Sequence, residues 1–391
     1  MVVIIGYQLY DVARADYGMP ITQASLQLGL LGLAQFLPVF LLTPIAGVLA
    51  DRMDRRKVAA TAALLDVGVA IGLGITTELE LRSLPVLYGF AVLHGVVRVF
   101  ISPAMSAIAP NVVPPALIPR AIAFNSIAMQ AGTIIGPAAY GFLFAADRAL
   151  PYWSSALMQV VAAISILSIA SLPPVSSDAR KPNPLRQMIE GFQFVWRERF
   201  LFGCITLDLF AVLLGGATAL MPVFARDILF VGPEGLGQMR AATAIGAAVV
   251  ALWLSFRPLA SNVGVKMLVA VGVYGAMTLA FGVSRVFALS LCFLAVLGAA
   301  DMISVFVRTS LVQLRTPDAV RGRVSAINGV AISASNELGE MQSGIAAALL
   351  GATGAVVFGG VGAIVITLLW AWRFPEIRRA RTFEPSWEHK P

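Results

Sequence analysis

Six ionisable side chains interrupt otherwise apolar stretches: His94 and Arg98, Asp208, Asp301, and Glu337 with Glu340. A charge in such a stretch costs about 3 kcal/mol on the insertion scale, so each must face a partner or a water-filled cavity. His94 and Arg98 are four residues apart and Glu337 and Glu340 three, so each pair shares a helix face. The chemistry these residues could do is proton exchange. A carboxylate whose proton affinity is brought near neutrality by burial and tuned by a nearby base can load and release a proton. Static ion pairs with Arg98 or Arg308 would satisfy the same acids, and the sequence leaves both readings open. Asp66 and Arg308 lie nearer the ends of their segments and read as reaching solvent.

Composition sets the elements that must position them. With 58% hydrophobic and 13% charged residues, the chain has too few charges for a soluble surface and reads as an all-α integral membrane protein. The net charge of +7 comes from bases dispersed in short loops, without the basic and aromatic stripe that nucleic acid binding needs. Cys204 and Cys292 are far apart in apolar segments and His94 and His389 are isolated, so neither a disulfide nor a metal site is expected. There is no Gly-x-Ser-x-Gly elbow and no phosphate-binding Gly-x-x-x-x-Gly-Lys-Ser/Thr loop, which argues against an enzyme and against a directly ATP-driven pump.

Apolar segments recur at roughly 25–50, 58–77, 84–107, 121–145, 152–172, 200–225, 239–256, 265–284, 286–312, 324–350 and 352–374, each long enough to span a bilayer. Met1 to Ala13 is only half a span, which makes twelve and predicts roughly 15–25 further residues upstream of Met1. With that half-helix running outward, twenty bases fall on the cytoplasmic side and six on the outer side. Such asymmetry orients the chain with its carboxyl terminus in the cytoplasm. The longest polar interval opens as Pro173-Pro174-Val175-Ser176-Ser177, then places Leu185, Met188, Ile189, Phe192, Val195 and Trp196 at helical spacing. That predicts an amphipathic helix on the inner leaflet, with Arg186, Arg197 and Arg199 near lipid phosphates. The expected organisation is a six-helix bundle over 1–172, a linker over 173–199, a second six-helix bundle over 200–374 and a cytoplasmic tail over 375–391.

Between the second and third helices, counting the half-span at the start, Asp51-Arg52-Met53-Asp54-Arg55-Arg56-Lys57 carries two acids and four bases and must be a cytoplasmic turn. Gly47 precedes Asp51 by one helical turn, leaving room for a neighbouring helix. Together they resemble the Gly-x-x-x-Asp-Arg-x-x-Arg-Arg signature of the major facilitator superfamily of transporters, with Asp54 where Gly is commoner. The resemblance implies that Gly47, Asp51, Arg52, Arg55 and Arg56 form a conformational gate. In the fifth span, Gly132, Gly136, Pro137 and Gly141 permit close helix contact and a kink, and resemble the Gly-x-x-x-Gly-Pro motif of the exporter and antiporter branches. The runs Leu209–Ala217, Thr316–Asn328, Ala334–Glu340 and Ser343-Gly344 resemble the branch that includes the bacterial enterobactin exporter. That likeness extends from about Tyr10 to about Trp372.

The resemblance implies a major facilitator fold and a secondary active transporter that exports a small organic molecule by alternating access, energised by proton antiport without any other cofactor. Its partners would be that substrate and the lipid bilayer, which the resemblance implies is a bacterial inner membrane, with the protein a monomer. Arg98, Asp208, Asp301 and Phe210 are the expected cavity lining, with His94, Glu337 and Glu340 as further coupling candidates. The acids suit a cationic or neutral amphipathic drug, whereas an anionic siderophore would need Arg98 as its anchor. A transporter-like scaffold or sensor without flux is the alternative.

Overall fold

A computed structural model describes residues 1–112, 114, 117–169, 184–257, 259 and 261–383. The Pro/Ser-rich part of the linker, the last residues of the tail, and the side chains of Gly47, Asp51 and Arg52 lie outside that description. The described elements are helices: α1 (Val2–Ala15), α2 (Ile21–Arg52), α3 (Arg55–Glu78), α4 (Leu84–Val112), α5 (Ile118–Ala146), α6 (Leu150–Ser168), α7 (Pro184–Arg197), α8 (Arg199–Leu214), the single turn α9 (Met221–Val223), α10 (Gly232–Phe256), α11 (Val263–Val283), α12 (Phe287–Leu314), α13 (Asp318–Arg373) and α14 (Pro375–Arg379). Among the described residues nine helical segments are long and apolar enough to cross a membrane. One of them, within α13, is two spans merged across Gly351, whose backbone (φ 75°) is left-handed and tolerable only because glycine lacks a Cβ. With both halves of α13, the shorter apolar stretch Ala131–Ala146 of α5 and the 14-residue α1, the described helices are consistent with twelve. The protein is a multi-pass membrane protein.

Chain contacts define two compact units, Met1–Lys181 with Val231–Gly237, and Pro182–Phe230 with Gln238–Pro391. In the first, α3 packs between α4 and α6, while α2 and α1 pack on α4. Asp54, the departure from the commoner motif, caps α3: its Oδ1 accepts from the Arg56 backbone N–H at 3.0 Å. Arg56 then donates Nη1 to the Ile169 carbonyl at 2.6 Å, closing the carboxyl end of α6, where a cation is favoured. Two of the motif's charges therefore tie α3 to α6.

In the second unit, α13 packs on α8 and α11, and α11 on α12. Helices α10 and α12 cross through two glycines: a Cβ on Gly246 would lie 1.8 Å from the Ala295 carbonyl oxygen, and one on Gly298 would lie 1.9 Å from that of Thr243. Small residues at such a crossing let the backbones meet. The amphipathic helix forms as expected, with Gly191 and Val195 buried and Ile189, Phe192 and Trp196 exposed in one stripe. It docks on α13, where Glu190 meets Arg323 at 2.9 Å. Arg199 opens α8 beside α14, 3.7 Å from Glu376 and donating to the Arg373 carbonyl.

The start of the tail is part of the core. Phe374, Ile377 and Ala380 are buried with Cys204, Leu207, Met267 and Leu311. The first N–H groups of a helix have no partner inside it. Here those of Val263 and Gly264 donate to the carbonyls of Arg381 and Ala380, at 3.4 and 3.0 Å. Ile377→Ala should therefore destabilise the unit by about 2–5 kcal/mol, as a buried truncation does. Unfolding of the purified protein in detergent checks this, and an unchanged midpoint would place Ile377 outside the core.

Candidate functional site

The polar interior of the second unit is built around a broken helix. The predicted span 200–225 is not continuous: α8 stops at Leu214, and a 3₁₀ turn at Ala217–Leu220 and a π turn at Phe224–Ile228 follow. Gly215 and Gly216 are poor helix formers and make room for what fills the break. A Cβ on Gly215 would lie 2.6 Å from the Tyr274 ring, and one on Gly216 2.1 Å from Ser343 Oγ. The break frees carbonyls that need donors. Tyr274 OH donates to the Gly215 carbonyl at 3.0 Å, and Arg240 Nη2 donates to that of Thr218 at 2.9 Å.

Arg308 is the largest side chain that is fully buried, with 2% exposure. Its helix continues to Leu314, so it does not lie at a span end and the expectation that it reaches solvent fails. Its Nη1 sits 3.0 Å from Asp208 Oδ2 and donates to Asn328 Oδ1 at 3.1 Å. Asp208 is itself 6% exposed. A cavity of about 10 Å³, roughly one water molecule in size, is lined by Asp208, Ala211, Val212, Val271, Tyr274, Asp301 and Ser304. Asp301, Ser304 and Arg308 fall at i, i+3 and i+7 on α12, one face of that helix. Asp301 lies within electrostatic range of both Asp208 and Arg308. It makes no hydrogen bond or ion pair among the described residues. Two carboxylates thus share one buried cation, and Asp208 holds it.

The other expected residues are dispersed. Glu337 and Glu340 are half-buried on α13 and both have interactions. Glu340 lies within electrostatic range of Arg240, which sits in the third turn of α10. Phe210 is not among the residues lining this cavity and packs on Trp370, with ring centroids 5.5 Å apart. His94 and Arg98 belong to the first unit. His94 is buried, and Arg98 is exposed with Nη1 3.5 Å from Gln35 Oε1.

In the exporter motif, a Cβ on Gly132 or Gly136 would meet nothing within 4 Å among the described residues. The close approach falls one turn later. A Cβ on Gly141 would lie 2.7 Å from the Pro233 carbonyl, and one on Gly237 2.8 Å from that of Pro137, all within the first unit.

Sequence reasoning missed Tyr274, Arg240 and Asn328; of the two partners it offered for a static ion pair, Arg308 is the one that Asp208 takes. The Gly215-Gly216 pair inside a span and the Asp301–Ser304–Arg308 stripe were the available signals. Among the described residues no three His, Cys, Asp or Glu side chains are grouped to hold a metal ion.

A helical membrane protein with a broken span and buried, charge-compensated acids has the make-up of a secondary transporter. The family of transmembrane secretion effectors in the major facilitator superfamily matches residues 1–389, and the chain belongs to it. It is 29% identical over 373 residues to the enterobactin exporter EntS of Citrobacter koseri, covering 93% of this chain and 86% of that protein. It is 28% identical over 374 residues to EntS of Escherichia coli O1:K1, with the same coverage. Among solved structures, a bacterial homologue of the human lysosomal transporter Spinster, inward-facing and occupied, superposes with a TM-score of 0.71 at 14% identity over 96% of each chain. The D-xylose–proton symporter gives 0.67 at 15%, over 95% of this chain and 96% of that one. These two likenesses show the major facilitator fold. The chain is a transporter and not an enzyme.

Proposed function

We propose that this transporter exports a small siderophore-like organic molecule by alternating access, drawing its energy from proton antiport through Asp301. The observation that carries the reading is the sharing of one buried guanidinium, Arg308, between two carboxylates. Asp208 is compensated by a direct ion pair, so its charge is fixed. Asp301 has no such pair, and a lone charge in a membrane interior is costly unless a proton or water meets it. It takes up a proton when its surroundings close and gives it back when water enters. The tenth span therefore carries the coupling group, while the broken eighth helix supplies an adjustable wall through Tyr274 and Arg240.

Relatives that export enterobactin support a siderophore-like substrate class, and the cytoplasmic bias of bases supports export from a bacterial inner membrane with the carboxyl terminus inside. The test is efflux from proteoliposomes with a panel of catecholate siderophores and cationic dyes, at a fixed pH difference. Gradient-driven flux of a catecholate supports the reading. Flux of dyes alone would replace the substrate class, and flux indifferent to the pH difference would remove the antiport mechanism.

A further inference from the structure

A second buried ionisable pair lies in the first unit, remote in sequence from the carboxylates already described. His94 Nδ1 on α4 is 2.7 Å from Asp66 Oδ1 on α3. Both residues are buried, at 7% and 5% exposure. The sequence placed Asp66 near a helix end. It lies instead in the middle of α3, which runs from Arg55 to Glu78 between α4 and α6 and holds it away from water.

The charged groups facing this pair are few. From α4 there is Arg98, one turn beyond His94. From α2 the neighbour of Arg98 is Gln35, an amide that does not titrate. Helix α6 contributes the apolar Ala156 and Val160 near Val67 and Ala70, and carries no acid or base.

We propose that the Asp66–His94 pair is a second proton-binding site of the transport cycle. With one proton on the pair, an imidazolium faces a carboxylate and the net charge is zero. When that proton leaves to water, the imidazole is neutral and a carboxylate charge remains buried on α3. A buried carboxylate that has lost its paired imidazolium is expensive to keep, so the proton leaves only when α3 and α4 separate enough to admit water. Release is thereby tied to a change in the packing of the first bundle. This inference rests on the antiport reading, and it gives the first unit a proton of its own beside that of Asp301.

The test uses the full-length protein in proteoliposomes, with the transported panel member as probe. If two protons move per substrate, the steady-state substrate ratio changes about 100-fold for each unit of imposed pH difference, since each proton contributes a factor of ten. Asp66→Asn/His94→Gln keeps two neutral, polar side chains of similar size. It is expected to lower the dependence to about tenfold per pH unit. Asp301→Asn is expected to lower it to a similar extent from the other site.

A wild-type protein with no pH dependence would overturn the antiport reading and this proposal together. Dependence that Asp301→Asn lowers but Asp66→Asn/His94→Gln leaves at the wild-type value would overturn this proposal alone. Should the double variant fail to fold, isotope-edited infrared spectra of labelled histidine in a His389→Gln background decide. A change in His94 protonation on substrate addition supports the site, and a constant state through turnover refutes it.

Discussion

Asp301→Asn is expected to lower the steady-state substrate gradient about tenfold for every unit of imposed pH difference, while substrate exchange without net proton movement continues. A proton crossing a one-unit pH difference releases about 1.4 kcal/mol, which is one factor of ten in a concentration ratio. Asparagine keeps the size and polarity of the side chain but cannot carry that proton. The fold should survive, because Asp301 makes no ion pair or hydrogen bond among the described residues and its removal orphans nothing. Accumulation assays at several pH differences, with exchange of labelled substrate run alongside, separate loss of coupling from loss of transport. A variant that keeps the wild-type dependence would move the coupling proton away from Asp301.

The second large effect is on stability. Arg308→Met should cost about 3–5 kcal/mol, because it leaves the buried carboxylate of Asp208 without its cation. Asn328 loses its donor at the same time. Replacing both partners, as Asp208→Leu/Arg308→Met, should recover most of the loss, since an apolar pair of similar volume needs no compensation. The assay can use the chain's own thiols. Cys204 is buried and Cys292 exposed, so in a Cys292→Ser background the rate at which Cys204 is alkylated on heating reports unfolding. If the single and double variants were alkylated at one and the same rate, the ion pair would carry no stability.

These two residues also show what the sequence could and could not convey. That the segments span a membrane, that Gly351 divides the last two and that a six-charge turn follows α2 are all one-dimensional facts, fixed by hydropathy, glycine and charge. Asp208 and Asp301 could be singled out because a charge in an apolar segment is costly wherever it lies. Their difference could not be read. Helical spacing tells which residues share a face but not which faces meet, so nothing in the chain order joined Asp208 to Arg308, a hundred residues on, or Asp66 to His94. The same limit applies to Arg240, whose bond to the Thr218 carbonyl depends on which face of α10 meets the broken span. The glycines of the exporter motif were legible as a packing surface, but which of them meets a neighbour depends on the neighbour: Gly141 has Gly237, and Gly132 has none among the described residues.

The docking of the final turn has a consequence for synthesis. The amino end of α11 is closed by the carbonyls of Ala380 and Arg381, which leave the ribosome more than about a hundred residues after Gly264. At roughly 5–20 residues per second, the second unit waits several seconds for the group that completes it. Its last contacts form only once Ala380 and Arg381 have emerged, so a nascent chain stalled before Ile377 would hold an open helix start and an uncovered patch around Cys204 and Met267.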